Sequence, residues 1–362
     1  MRLPTWDEIS KQEDQLDVLE YPPDRSLFVV GPPGSGKTIL ALRRGQMIAD
    51  TRHVKIITFN RMLRRLLGLL GGENMDIQTM HQFVWQNYKD LVSEEPPQHS
   101  EYDYDWEAMI DRVEDNQAHH DGLHLIVDEG QDLPRGFFKY ASYTSDLMTV
   151  FADEDQALKM HHSTLEDIKT AANLDDPLIL KNNHRNSPEI AMLAEHFHSG
   201  RLPVSNIHRD LTGEPPRLIR KENLESTATF ISNWYTSRGD SIGVIVKRNN
   251  TGDQLYTLLC NKLSDKRVDI YRNDQKNEDN IDMLSSGVTI LNKESVKGQE
   301  FNTVFILELE AFIPCKTPAD RRSMYMMCAR ACNHLFLIYA SASFLTRARN
   351  SDLPGPRILE RP

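Results

Sequence analysis

The sequence predicts an α/β fold arranged as two tandem halves, each built on a parallel sheet. Short apolar runs of strand length alternate with amphipathic helical stretches, the pattern of strand–helix–strand units. The alternation runs twice through 362 residues, enough chain for two buried cores. A glycine-rich turn joins the first strand of the opening half to its first helix.

In the first half, residues 1–180, the expected strands are Leu27–Val30, Val54–Thr58, Leu123–Val127, Met148–Phe151 and Leu178–Leu180. Helices are expected over Lys37–Ala49, Arg61–Leu70 and Leu165–Ala172. Residues 86–121 interrupt this half; the stretch is acidic and polar, carries Glu94-Glu95-Pro96-Pro97, and reads as a small insertion. In the second half, residues 181–362, the strands are Arg217–Ile219, Ile242–Val246, Val288–Leu291, Thr303–Leu307 and Leu335–Tyr339. Helices near Pro188–His198, Asn223–Thr236, Gln254–Leu263 and Ala319–Cys332 separate them, and the polar stretch 272–286 reads as a loop.

Hydrophobic residues make up 39% of the chain and charged ones 26%, a globular balance. No apolar run approaches the roughly 20 residues needed to cross a bilayer, so no membrane partner is expected. Met1 to Ser10 is too polar for a secretory signal. Cys260, Cys315, Cys328 and Cys332 form no Cys-x-x-Cys pair; Cys328 and Cys332 are expected to share a helix face as buried packing. A reducing cytoplasm is the simplest setting. The net charge of −11 disfavours a dedicated nucleic-acid coat but leaves room for a local basic track.

The turn Gly31-Pro32-Pro33-Gly34-Ser35-Gly36-Lys37-Thr38 fits the phosphate-binding loop pattern and sits in the required context, after an apolar strand and opening a helix. Glycines let backbone N–H groups approach phosphate oxygens, and the helix start adds partial positive charge. Lys37 is then the group for the β- and γ-phosphates of ATP, and the Thr38 hydroxyl a ligand for Mg2+. Leu125-Ile126-Val127 delivers Asp128 and Glu129 to a strand end, where ligands bind in open α/β sheets. Asp128 suits the metal ion, and Glu129 suits orienting and deprotonating a water. A third strand ends in Ala152-Asp153-Glu154-Asp155-Gln156; Gln156 can sense a γ-phosphate or be an ordinary loop glutamine.

In series these residues resemble the UvrD/Rep/PcrA-like superfamily 1 helicases, over about residues 15–339. Asp128 to Asp132 is similar to that family's DEAQD, with Gly130 in place of alanine, and Ala152 to Gln156 to its GDxxQ. Asn183-His184-Arg185-Asn186 resembles NYRS, Lys297 to Phe301 resembles KGLEF, and Tyr325 to Ala331 resembles the YVAxTRA segment. The resemblance implies two RecA-like P-loop NTPase cores with a nucleotide cleft between them. It implies that Gln15, or less well Gln12, reads the adenine edge. Arg185 and Arg330 would reach the γ-phosphate from the second core, Glu300 would lie near the ribose, and Gly298 beside the phosphates. Three departures stand out: Ala329 and His184 replace a threonine and a tyrosine, and Asn292-Lys293-Glu294 replaces Thr-x-His.

Thr58-Phe59-Asn60-Arg61 and Gln78 to Phe83 resemble two nucleic-acid-binding motifs of the same family. Thr58, Asn60, Thr79 and His81 suit sugar–phosphate hydrogen bonds; Phe59, His81, Phe83 or Trp85 offer faces for base stacking. Arg61, Arg64 and Arg65 fit equally well as one solvated helix face, and Phe59 and Phe83 as core. Arg248, after its strand, is a further basic candidate. The expected partner is single-stranded nucleic acid, DNA favoured over RNA. The expected activity is an ATP-driven translocase or helicase lacking the family's large inserts; the alternative is an ATPase that gates a partner nuclease or other effector. A switch that does not turn over is disfavoured by the full set Lys37, Asp128, Glu129, Arg185 and Arg330.

Overall fold

The computed structural model describes residues 9, 11–71, 75–153, 163–198, 206–210, 212, 214–272, 281–282, 285–347 and 352–361. The chain forms two compact units, Arg2–Lys181 and Asn182–Pro362.

The strands of the first unit are β1 (Leu27–Val30), β2 (His53–Thr58), β3 (Asp76–Thr79), the hairpin β4 (Gln98–Ser100) and β5 (Asp103–Tyr104), β6 (His120–Val127), β7 (Ser145–Ala152) and β8 (Leu178–Ile179). Its helices are α1 (Glu13–Glu20), α2 (Lys37–Ile48), α3 (Arg61–Gly71), α4 (Met80–Val92), α5 (Trp106–Asp115), α6 (Arg135–Thr144) and α7 (Leu165–Ala171). Six strands form one parallel sheet in the order β3-β2-β6-β7-β1-β8. All four β1 residues are buried, as expected of a strand covered on both faces. Because the sheet is parallel, the carboxyl ends of β3, β2, β6, β7 and β1 share one edge. Along it the chain presents, in order, Thr79, Thr58, Asp128, Asp153 and Gly31. This ordering places the candidate groups that the strand ends carry.

Residues 86–121, read as an insertion, contain the end of α4, the hairpin and α5, and β6 already begins at His120. The stretch had no clear period because its elements are short. α4 starts on a capping box: the Thr79 hydroxyl accepts from Gln82 N while the Gln82 side chain takes Thr79 N. His124 is fully buried, its Nε2 2.9 Å from Thr149 Oγ1, which also accepts from Arg44 Nε at 3.3 Å. Burial, then the Arg44 charge, push the His124 imidazole down to about 3. Between pH 6.5 and 3 the unfolded chain therefore binds a proton that the fold refuses, so stability is intact above pH 6.5 and falls on acidification. Unfolding measured at pH 7.5 and 4.5 should show a loss of about 2–3 kcal/mol from this group, and His124→Gln should shrink that pH dependence.

The second unit has β9 (Asn182–Asn183), α8 (Pro188–His196), β10 (Asn206–Ile207), β11 (Arg217–Arg220), α9 (Leu224–Arg238), β12 (Ser241–Val246), α10 (Asn249–Lys262), β13 (Val268–Ile270), β14 (Gly287–Asn292), β15 (Phe301–Ile306), α11 (Pro318–Cys328) and β16 (Ala331–Tyr339). Its parallel sheet runs β11-β16-β15-β12-β14-β13, with Phe305 stacked on Phe336 at 4.7 Å inside the core. α11 stops at Cys328 and Cys332 lies in β16, so the two cysteines do not share a helix face. The stretch 272–286 lies largely outside the described residues. Among the described residues, no helix is long and apolar enough to cross a membrane.

Candidate functional site

The turn between β1 and α2 is shaped by its glycines. Gly36 has φ 90°, and a Cβ there would lie 2.8 Å from Gln15 Nε2; a Cβ on Gly31 would lie 2.7 Å from Leu180 Cβ. Gln15, buried in α1, donates from Nε2 to Ser35 O at 3.0 Å. Its amide is thus packed against the loop that Pro32, Pro33 and Gly34 complete. Lys37 opens α2 and is buried. Its Nζ donates to Gly31 O at 2.6 Å and Pro32 O at 2.9 Å, and meets Asp153 Oδ2 at 3.3 Å.

Beside it, β6 ends in Asp128 and Glu129, both buried. Burial and then the neighbouring Glu129 charge push the Asp128 carboxyl up to about 7; the Thr38 hydroxyl, Lys37 and Glu129 N pull the other way. Asp128 Oδ1 accepts from Glu129 N at 3.0 Å, and its Oδ2 has no hydrogen-bond partner. A buried carboxylate oxygen without a donor, next to a threonine hydroxyl, fits a hard cation such as Mg2+. Glu129 holds φ 56°, in the left-handed region, which turns its side chain out of the strand direction.

Sequence reasoning missed the group that holds Glu129. Gln131, fully buried in the turn after it, donates from Nε2 to Glu129 Oε2 at 2.5 Å and accepts Asp153 N on Oε1 at 2.8 Å. Glu129, Gln131, Asp153 and Lys37 are therefore linked across the adjacent strands β6, β7 and β1. Gly130 is sterically apt where the resemblance led one to expect alanine, since a Cβ there would lie 2.7 Å from Val150 Cγ1. Gln156 lies outside the described residues.

The candidate track occupies the β2 and β3 end of the same edge, where Thr58 pairs in register with Thr79. One expectation fails here. Phe83 is fully buried on the inner face of α4, edge-on to Phe137 at 6.2 Å, so it is core and offers no face to a base. Thr58 is also fully buried, and its hydroxyl has no hydrogen-bond partner. Thr79 uses its hydroxyl to cap α4, and Asn60 Oδ1 accepts from Met62 N at 2.8 Å at the start of α3. Phe59, Arg61 and His81 are partly exposed. Of the nearby histidines, His124 is in the core, while His119 pairs with Asp146 at 2.6 Å.

In the second unit Arg185 and Arg330 meet on one segment. Arg185 Nε bonds Glu300 Oε2 at 2.9 Å, while the buried Arg330 donates from Nη1 to Gln299 O at 3.4 Å and from Nε to Met326 O at 3.0 Å. Asn186 ties the two regions, its Nδ2 donating to Ala329 O at 3.1 Å and to Ala331 O. Gly298, with φ 78°, makes the turn into Gln299 and Glu300. This cluster stands at the amino ends of β15 and β16. Arg248 follows the carboxyl end of β12, on the opposite edge; it is exposed, bonds Glu308 at 3.1 Å and lines a cavity of about 780 Å³ with Lys221 and Tyr339.

Residues 15–175 match the AAA domain family. The matched stretch takes in the glycine-rich loop, both strand-end carboxylates and the candidate track. No match was found among curated proteins. Among solved structures, the chain is similar to the C-terminal domain of a possible DNA helicase from Lactobacillus plantarum WCFS1 at 16% identity, with 49% of this chain and 98% of that one covered and a TM-score of 0.34. The PRRSV helicase aligns at 11% identity over 94% of this chain and 57% of its own, TM-score 0.45. Arterivirus nonstructural protein 10, a helicase, aligns at 10% identity over 95% and 64%, TM-score 0.44. The chain therefore spans less than two thirds of either viral protein.

Proposed function

We propose that the protein is an ATP-dependent motor that moves on single-stranded DNA, hydrolysing ATP at the AAA domain. The observation that carries this reading is the linked set Lys37, Asp153, Gln131 and Glu129 beside Asp128 and Thr38 on one sheet edge. Phosphate-, metal- and water-directed groups converge there as phosphoryl transfer requires. Lys37 binds phosphate charge, and Glu129, held by Gln131, orients a water and accepts its proton. Mg2+, held by Asp128 and Thr38, would neutralise charge on the phosphates. Arg185 and Arg330 are the proposed cations for the terminal phosphate, and Gln15 and Glu300 the proposed contacts for base and ribose.

Steady-state ATP hydrolysis with and without single-stranded DNA or RNA tests the reading. Turnover should rise strongly with DNA and less with RNA. Equal turnover with and without any strand would overturn the motor; stimulation without movement along a labelled strand would instead support an ATPase that gates an effector.

A further inference from the structure

The hairpin β4–β5 reaches the candidate track through two rings, Tyr102 and Tyr104, both against His81. Tyr102, at its tip, lies 4.6 Å from the His81 ring at an interplanar angle of 49°, and His81 in turn lies 6.3 Å from Phe59 and 5.7 Å from Tyr104. Tyr104 is buried, whereas Tyr102 is 50% exposed. The row Phe59–His81–Tyr102 therefore starts at the carboxyl end of β2, passes the start of α4 after β3, and ends on an exposed ring. We infer that Tyr102 is a base-stacking residue for single-stranded nucleic acid, extending the Phe59–His81 row with a ring that no motif in the sequence marks. The inference rests on the motor reading for the class of ligand.

Three observations argue for it. Tyr102 has φ 66°, a conformation that a two-residue hairpin tip ordinarily fills with glycine or asparagine. A tyrosine here strains the backbone, and such strain concentrates where a side chain has work to do. The tip is held in place: Tyr102 N donates to Gln98 Oε1 at 3.2 Å, and the hairpin is paired through Gln98 and Tyr104. The neighbours Glu101 and Asp103 are exposed carboxylates that repel phosphate, so the tip can offer a base an aromatic face but cannot offer the backbone an ion pair. The chain of a bound strand is then carried from the Arg61 side, and the base from the Tyr102 side.

That division of labour is measurable. A (dT) oligonucleotide carrying one 2-aminopurine reports stacking by quenching, and titration at several salt concentrations separates stacking from ion pairing. Tyr102→Ala should bind about five- to a hundredfold more weakly, lose part of the quenching, and keep the salt slope of the unmodified protein. Arg61→Ala should reduce that slope by about one phosphate contact. Tyr102→Phe and Tyr102→Trp should bind as well as the unmodified protein. Tyr102→Gly relieves the backbone, so it should match or exceed the unmodified protein in melting temperature while binding as poorly as Tyr102→Ala. If the unmodified protein binds the strand and Tyr102→Gly binds it equally well, the inference fails and the motor reading stands. If the unmodified protein binds no strand at all, the motor reading fails first.

Discussion

Replacing Glu129 with Gln should lower ATP turnover at least about a hundredfold and leave ATP affinity within a few fold. The two side chains have the same shape, so the buried turn that holds φ 56° at this position tolerates the exchange. The amide cannot accept a proton from water, which removes the chemical role alone. Gln131 sharpens the prediction. Its Nε2 is donated to Glu129 Oε2, and its Oε1 takes Asp153 N, so its orientation is fixed from both sides. Gln131→Leu should therefore lower kcat by a smaller factor than Glu129→Gln, with KM little changed, because the base is present but no longer aimed. Turnover by Glu129→Gln equal to that of the unmodified enzyme would show that another group deprotonates the water.

The contrast between those two residues shows what was legible in the sequence. The loop from Gly31 to Thr38 is contiguous, and its context of strand and helix is local, so it could be read directly. Asp128 and Glu129 were legible for the same reason. Gln131 was not, because its partner Asp153 N is supplied by β7, and β7 lies between β6 and β1 only by virtue of strand order. No local pattern encodes that order. Arg185 and Arg330 were found by resemblance alone; what brings them together is the Asn186 amide bound to the carbonyls on either side of Arg330. The alternation of strands and helices was legible where runs were long and apolar, and α/β halves with parallel sheets are what the fold shows. It failed where elements are short, as in β4 and β5, and where a motif letter leaves the facing of its side chain open. Phe83 is the instance: one residue within a helix, it could face solvent or Phe137, and packing decided for Phe137.

Arg330→Ala should lower kcat by about a thousandfold or more, the largest effect expected of any side chain in the second unit. A guanidinium is costly to bury, and this one is 1% exposed and donates to Met326 O and Gln299 O. A fold that needed only a spacer there would be served better by an apolar side chain of similar volume. The proposed role, a cation for charge on the transferred phosphoryl group, explains why a permanent charge is kept. Arg330→Lys retains a point charge but loses the planar fork, so it should recover only part of the rate. Melting temperature and ATP affinity separate this role from architecture, since the Arg330 side chain also steadies the turn before Phe301 through Gln299 O. A variant that melts early yet hydrolyses ATP normally when folded would assign Arg330 to the turn alone. Arg185, whose Nε is paired with Glu300 on the next residue of the same segment, supplies the cross-check. If both arginines serve one phosphate, removing the second after the first should cost much less than removing it alone.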